Sequence, residues 1–341
     1  MGKKQNSKLI IREARRSYQL ICDLLCEHSG YELTDLLSRD ERPIQSKKAW
    51  LLQGMQASAK LLPKLGRIKD ADSIVLIGNY SAMFSVFLNK IHVIHPDELF
   101  WWGFQIRGDK SLAILKKVFA ALYSSNLHFI VFSEYEHRLY KNRLDLPGSA
   151  FIYQPYGDWQ NSSLAELRSD VSDGGYYFSG GYSNRDYAGL IRAWEGIARD
   201  LVIIGSSINS DLEEYLRHPS NPRIKVLLDT SPEEFDHYMK NARACVLPFT
   251  ANTGASGQTV ALRSMRLRKL MISSDIDAMN EYILDNKSGF LVHDLSSELT
   301  GIIEKIEKDP GMVSGMLDAQ DELYQNRFSY EGITRHLLSI L

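Results

Sequence analysis

Phe249-Thr250-Ala251-Asn252-Thr253-Gly254-Ala255-Ser256-Gly257-Gln258-Thr259-Val260-Ala261-Leu262-Arg263-Ser264-Met265 is the stretch on which the reading of the chain turns. It follows the apolar run Ala244-Cys245-Val246-Leu247-Pro248, which has the length and composition of a buried strand. After the small polar residues a helical pattern begins, with Val260, Leu262, Met265 and Leu267 on one side. A strand, a polar loop and a helix start bring free backbone N–H groups and the positive end of a helix dipole to one spot, where an anion can sit. Gly254 and Gly257 let a ligand approach the backbone, and Ser256, Gln258 and Thr259 add side-chain donors. The same residues also fit an ordinary strand-to-helix turn with Ser256 as N-cap.

Working outward, the same alternation fills the region after residue 175. Tyr176-Tyr177-Phe178-Ser179 reads as a strand, Gly180-Gly181-Tyr182-Ser183-Asn184 as a turn, and Arg185-Asp186-Tyr187 as the opening of a helix. This is a second backbone nest at a helix start, with a guanidinium added. Strands follow at 201–204, 224–228, 269–275 and 289–292, separated by helices at 210–217 and 232–240 and a short one at 279–284. Helices at 297–308, 311–325 and 329–340 close the chain.

The first half alternates in the same way. Ser73-Ile74-Val75-Leu76-Ile77-Gly78 is apolar on both faces, as strands of parallel sheets are. Strands at 98–103, 128–133 and 150–153 follow, with helices between them at 83–88, 110–123 and 135–142. Ahead of these, a helix is expected over 8–28, with Arg12, Arg15 and Arg16 near its start, and another over 45–62. The polar stretch 158–174 reads as a linker. Short connections between alternating strands and helices imply right-handed crossovers and sheets covered on both faces. The expected fold is therefore α/β: two doubly wound Rossmann-like domains facing a cleft. The first spans 1–157, the second 175–326, and the terminal helix 327–341 returns toward the first. Ligands bind such sheets at the carboxyl ends of strands. In the first domain those ends carry Asn79, Tyr80, Trp102, Gln105 and Glu134.

Composition narrows the class. The 341 residues are 44% hydrophobic and 24% charged with net charge −2, which describes a globular protein and gives no reason to expect nucleic acid. No apolar run approaches a membrane span, and no signal-type core follows Met1-Gly2-Lys3-Lys4, so a cytoplasmic protein is expected. The three cysteines, Cys22, Cys26 and Cys245, read as reduced core residues rather than metal ligands or a disulfide. Arg12 to Arg16 on an amphipathic helix would suit peripheral contact with the inner face of a membrane, or simply a solvated face.

The second domain resembles the donor-binding domain of nucleotide-sugar glycosyltransferases of the GT-B architecture, closest to glycosyltransferase family four (group 1). The resemblance rests on Phe178 to Tyr187 with Leu190-Ile191-Arg192-Ala193, on Ala255 to Met265, on Pro232-Glu233-Glu234-Phe235 after Val226-Leu227-Leu228, and on Ser288-Gly289-Phe290-Leu291-Val292. In the first domain Leu99-Phe100-Trp101-Trp102-Gly103 is faintly similar to the strand end of bacterial fucosaminyl-type transferases. The resemblance implies a donor site made of Gly180, Gly181, Ser183, Asn184, Arg185, Leu228, Ser256, Gly257, Gln258, Thr259 and Arg263, with Arg185 gripping the diphosphate. The family's paired glutamates, spaced Glu-x7-Glu, fall here on Ala255 and Arg263. An arginine cannot accept hydrogen bonds from ribose hydroxyls as the second glutamate does.

The expected activity is hexosyl-type transfer from a nucleoside diphosphate sugar to an acceptor hydroxyl, with no cofactor and no metal, in bacterial surface polysaccharide or glycolipid assembly. The acceptor, a glycan or lipid-linked precursor, would lie against Asn79, Trp102 and Gln105. Glu134, Asp97 and His95 are the candidates for the catalytic base. Two other classes remain open: a catalytically silent homologue that binds a nucleotide sugar or partners an active transferase, and a two-domain solute binder.

Overall fold

A computed structural model describes residues 7–15, 18–40, 55–106, 109–158, 164–169, 171–250 and 256–341. The chain divides into two compact units: one of residues 1–155 and 334–341, and one of residues 156–333. Each is built on a six-stranded parallel sheet.

The first unit's strands are β1 (Lys8–Arg15), β2 (Tyr31–Asp40), β3 (Ser73–Ile77), β4 (Glu98–Trp102), β5 (Leu127–Val131) and β6 (Phe151–Tyr153), in the order β2-β1-β3-β4-β5-β6. β3 to β6 stand where the apolar runs place them. Leu9, Ile11, Ile74, Leu76, Leu99, Trp101, Phe129 and Val131 share one core with Ala82 and Val86 of the helix Tyr80–Lys90. The residues between them, such as Ile10, Val75, Phe100 and Ile130, are buried as well. A strand buried on both faces has no polar side, which explains the continuous apolar runs.

The start of the chain corrects the expectation. The helix expected over 8–28 is a strand, β1, followed by a shorter helix, Gln19–Ser29. Arg12 is not on a basic helix face. It lies in β1, 1% exposed, with Nε 2.6 Å and Nη2 3.0 Å from the Asp35 carboxylate of β2 and Nη1 bonded to Gln19. A charge so buried needs such partners. Arg16 and residues 41–54 of the helix expected over 45–62 lie outside the described residues; 55–61 are helical. Among the described residues no helix is long and apolar enough to cross a membrane.

The second unit's strands are β7 (Tyr176–Gly180), β8 (Asp200–Gly205), β9 (Ile224–Leu228), β10 (Ala244–Leu247), β11 (Leu270–Ser274) and β12 (Phe290–Val292), in the order β12-β11-β10-β7-β8-β9. Tyr177, Leu201, Ile203, Val246 and Ile272 belong to one core; Phe178, Val202, Ile204, Leu247 and Met271 belong to another. Alternate residues of each strand thus feed opposite faces.

Of the stretch 158–174, the described residues include the helix Leu164–Arg168, and Arg168 bonds the carbonyls of Met265 and Arg266 and both carboxylate oxygens of Asp321. Asp158 pairs with Arg266 and accepts from Tyr324. The segment at 279–284 is a run of turns instead of a helix. Cys22 and Cys245 are buried, Cys26 half-buried, and all three are free thiols.

Candidate functional site

In an open parallel sheet the crevice for a ligand lies where strand order reverses, because the loops there diverge to opposite faces. In the second unit that point is between β7 and β10. The loops leaving these strands are the two read from the sequence as anion nests.

The first loop turns at Gly181, with φ 111°, and at Asn184, with φ 52°. Arg185 folds back beneath it. Its Nε donates to the Gly180 carbonyl at 3.1 Å and Nη1 to the Ser183 carbonyl at 2.9 Å, and the guanidinium lies 4.3 Å over the Phe249 ring. Burial lowers its pKa. The side chain fits because Gly181 has no Cβ: one added there would stand 2.6 Å from Nη2. Asp186 then caps the helix Tyr187–Ala193 by accepting from the Gly189 N–H.

The second loop meets the first. Asn184 Nδ2 donates to Ser256 Oγ at 2.6 Å, Thr250 N–H donates to the Asn184 carbonyl, and Asp186 N–H donates to the Pro248 carbonyl. Gly257, with φ 85°, sits over the edge of the Phe249 ring and precedes the helix Gln258–Arg266. Gln258 is buried and Thr259 exposed. Gly254 and Ala255 lie outside the described residues.

Arg263 is engaged by a residue that sequence reasoning passed over. Its Nε and Nη2 lie 3.1 and 3.2 Å from the Asp236 carboxylate, on the helix Pro232–Lys240, and its guanidinium is 5.1 Å over Phe235. Phe235 in turn meets Phe178 edge-on and packs beneath Gly180. Burial raises the Asp236 pKa, against the opposing charges of Arg263 and Arg266. Leu228 ends β9, two strands from β7, and is half-buried. Beside it Asp229 accepts from Ser206 Oγ at 2.7 Å and from Ser207 N–H, and the Ser206 bond lowers its pKa.

The first unit brings only some of its expected residues together. Asn79 is exposed at the cap of the helix Tyr80–Lys90, and Trp102, 2% exposed, ends β4 against Phe132. Gln105 donates to Glu136 at 3.0 Å, and Glu134 opens the helix Glu134–Arg143. All stand at the carboxyl edge. Asp97 and His95 do not. Both precede β4, and in a parallel sheet that puts them at the amino edge, where Asp97 lines a cavity of about 390 Å3 with Lys8, Ser73 and His128. They are therefore set aside as partners of Asn79 and Trp102.

Glu13 was missed. It lies in β1 one residue past the last pair with β3, at the switch point of this sheet, and its Oε2 accepts from Tyr80 N–H at 3.1 Å and from Ser81 N–H and Oγ at 3.4 and 3.3 Å. Burial raises its pKa, more than the bonds from Ser81 and Tyr80 lower it. The β-branched run Ile10-Ile11 was the available signal, but reading 8–28 as helix concealed it.

Residues 176–309 match the family described as Glycosyl transferases group 1. Over the whole chain, Anabaena Alr3699/HepE, solved in complex with UDP, superposes with TM-score 0.68 at 13% identity, covering 99% of this chain and 100% of that one. A glycosyltransferase from Rickettsia africae ESF-5 gives 0.66 at 14%, covering 98% of each chain. The lipopolysaccharide outer core galactosyltransferase WaaB gives 0.65 at 14%, covering 98% and 100%. The fold is GT-B. Among curated proteins none matches the sequence. The group 1 match covers β7 to β12, so it includes both loops of the switch point. Within this GT-B chain the two loops joined by Asn184 and Ser256 are the candidate ligand site of the second unit.

Proposed function

We propose that the chain is a glycosyltransferase that moves a sugar, of hexosyl type, from a nucleoside diphosphate sugar to an acceptor hydroxyl. The observation that carries this reading is the Asn184–Ser256 bond, which ties the Gly180–Arg185 loop to the uncapped helix opening at Gln258, beside the Arg185–Phe249 stack at the switch point of a group 1 domain. A leaving diphosphate there would meet the backbone of Gly180 to Ser183, the Arg185 charge and the helix start at Ser256 to Thr259, with no metal in the scheme. Leu228 and Phe235 would border the base. Acceptor binding is assigned to Asn79, Trp102 and Gln105, with Glu134 as base. Surface polysaccharide or glycolipid assembly, in the cytoplasm or at the inner membrane face, is the setting this reading favours.

The test is a thermal-shift series with UDP, GDP, dTDP and CMP, followed by hydrolysis or transfer of the matching sugar nucleotide. A shift with one nucleoside diphosphate and turnover of its sugar supports the proposal; no shift with any of the four refutes it. The second reading is a silent homologue. It is favoured by Arg263 being held by Asp236 and by Arg185 bonding its own loop's carbonyls. A shift without turnover, with acceptors supplied, decides for it.

A further inference from the structure

The switch point of the first unit offers a ligand chemistry opposite to that of the second. Arg12 pairs with Ile77, and Ile77 with Trp102, so Glu13, Gly78 and Gly103 stand at one level, where β3 and β4 end and β1 leaves its pairing with β3. Both glycines have positive φ, 134° and 72°. A Cβ on Gly78 would fall on the Glu13 side chain, and one on Gly103 would stand 3.1 Å from the Phe132 ring and 3.5 Å from the Tyr18 hydroxyl. The strand ends therefore form a floor with a carboxylate on one side and aromatic rings on the other.

Each side has its own physical character. Glu13 continues the Leu9, Ile11 face and reaches the first N–H groups of the helix Tyr80–Lys90, so a carboxylate already occupies the place an anion would take. The neighbouring positive charge, Arg12, is buried against Asp35. On the other side Tyr18 is 37% exposed and holds a left-handed conformation, φ 51° and ψ 41°, that an aromatic residue adopts only at a cost. Its ring lies 5.9 Å from Phe132 and 6.4 Å from Trp102, edge-on to the latter. Such rings present an apolar face on which the C–H side of a sugar can lie.

We propose that this edge is a subsite for an uncharged or amine-bearing sugar ring, with Tyr18 as its stacking face and Glu13 accepting from a hydroxyl or amine, and that Glu13 excludes phosphorylated sugars. The proposal rests on the glycosyltransferase reading for its biological sense, since this ring would belong to the acceptor. Its physical content concerns the first unit alone. Glu13 is a specificity-determining residue here, and no proton transfer is assigned to it.

The test uses the full chain and saturation-transfer NMR with methyl glycosides of glucose, galactose, mannose and glucosamine, each neutral glycoside beside its 6-phosphate. At least one neutral or amino glycoside should bind, and its phosphate should bind about tenfold more weakly or worse, because like charges oppose it. Tyr18→Ala should weaken the glycoside about fivefold, the scale of one lost aromatic contact. Glu13→Gln keeps an oxygen for the Tyr80 and Ser81 donors and should bring the phosphate close to its neutral parent. No glycoside binding, equal binding of phosphate and parent to the unaltered protein, or an unchanged signal in Tyr18→Ala each overturns the proposal. The unaltered protein's ratio stands even if a variant fails to fold. A missing UDP shift counts against the glycosyltransferase reading only, because it reports on the second unit.

Discussion

The two units solve the same local problem with opposite charges. Each has a glycine of positive φ at the turn leaving a strand beside its switch point: Gly78 at 134° in the first, Gly181 at 111° in the second. In each, the room left by the absent Cβ is filled by a charged side chain, Glu13 in one and Arg185 in the other. Glu13 meets the N–H donors of a helix start, whereas Arg185 meets carbonyls of its own loop; Asp186 caps the helix at Tyr187, and among the described contacts the helix at Gln258 has no side-chain cap. The doubly wound sheet supplies the crevice in both, and one side chain sets the sign of what it can accept.

The largest break in this comparison should come from Arg185→Ala. It removes a nearly buried guanidinium, two hydrogen bonds and the stack on Phe249, and should lower stability by about 3 kcal/mol. It should also abolish the nucleotide-induced shift in melting temperature. An unchanged shift would place the diphosphate elsewhere.

Next in size is a matched pair, Gly181→Ala and Gly78→Ala. Each adds a Cβ at a positive φ and against a charged group, for about 1–3 kcal/mol by denaturant unfolding. Their ligand effects should separate: Gly181→Ala weakens nucleotide binding and spares glycosides, and Gly78→Ala does the reverse. Equal effects on both ligands would mean that the two edges are not independent.

A smaller effect is expected at Arg263→Glu, which sets two carboxylates against each other in place of the Asp236 pair. For a pair this exposed the cost should be about 0.5–1 kcal/mol. The informative readout is nucleotide affinity. A tighter UDP complex would mean that the native arginine holds the site in a weakly binding form.

The smallest expected effect on ligand binding comes from a control at the amino edge of the second unit. Burial raises the Glu307 pKa, but bonds from Arg199, Arg243 and Tyr177 outweigh it and hold the carboxyl down to about 2, below its ordinary 4.5. A lowered folded-state pKa contributes stability that is present above pH 4.5 and lost as pH falls toward 2. The melting temperature of Glu307→Gln should therefore lie below that of the parent at neutral pH and converge with it across that acidic window, with nucleotide affinity unchanged.

Much of this was legible in the chain. Ser73 to Ile77 and Ala244 to Leu247 are long enough, apolar enough and well enough bounded by Gly and Pro to be strands of a parallel sheet and nothing else. The loops at Gly180 and Ser256 announce helix starts that follow such strands. β1 was not legible, because Lys8 to Arg15 carries charge at both ends and its helix-like spacing runs on into Gln19–Ser29. Arg12 shows why: its partner Asp35 is 23 residues away, and only pairing of β1 with β2 brings them together.

The amino-acid order alone determined the class of the fold, two runs of alternating strands and helices, and the pair of glycine-bearing loops where an anion can be met. Those are local properties, set by periodicity, backbone freedom and turn chemistry within a few residues. Only the tertiary structure decided which strands are neighbours, and with that the sign of each crevice. It placed Glu13 against a helix start 67 residues later and Asp236 against Arg263, 27 residues apart. It also put Asp97 and His95 at the wrong edge for the role expected of them. Charge acts through space, so its effect follows strand order, which no short window of sequence contains.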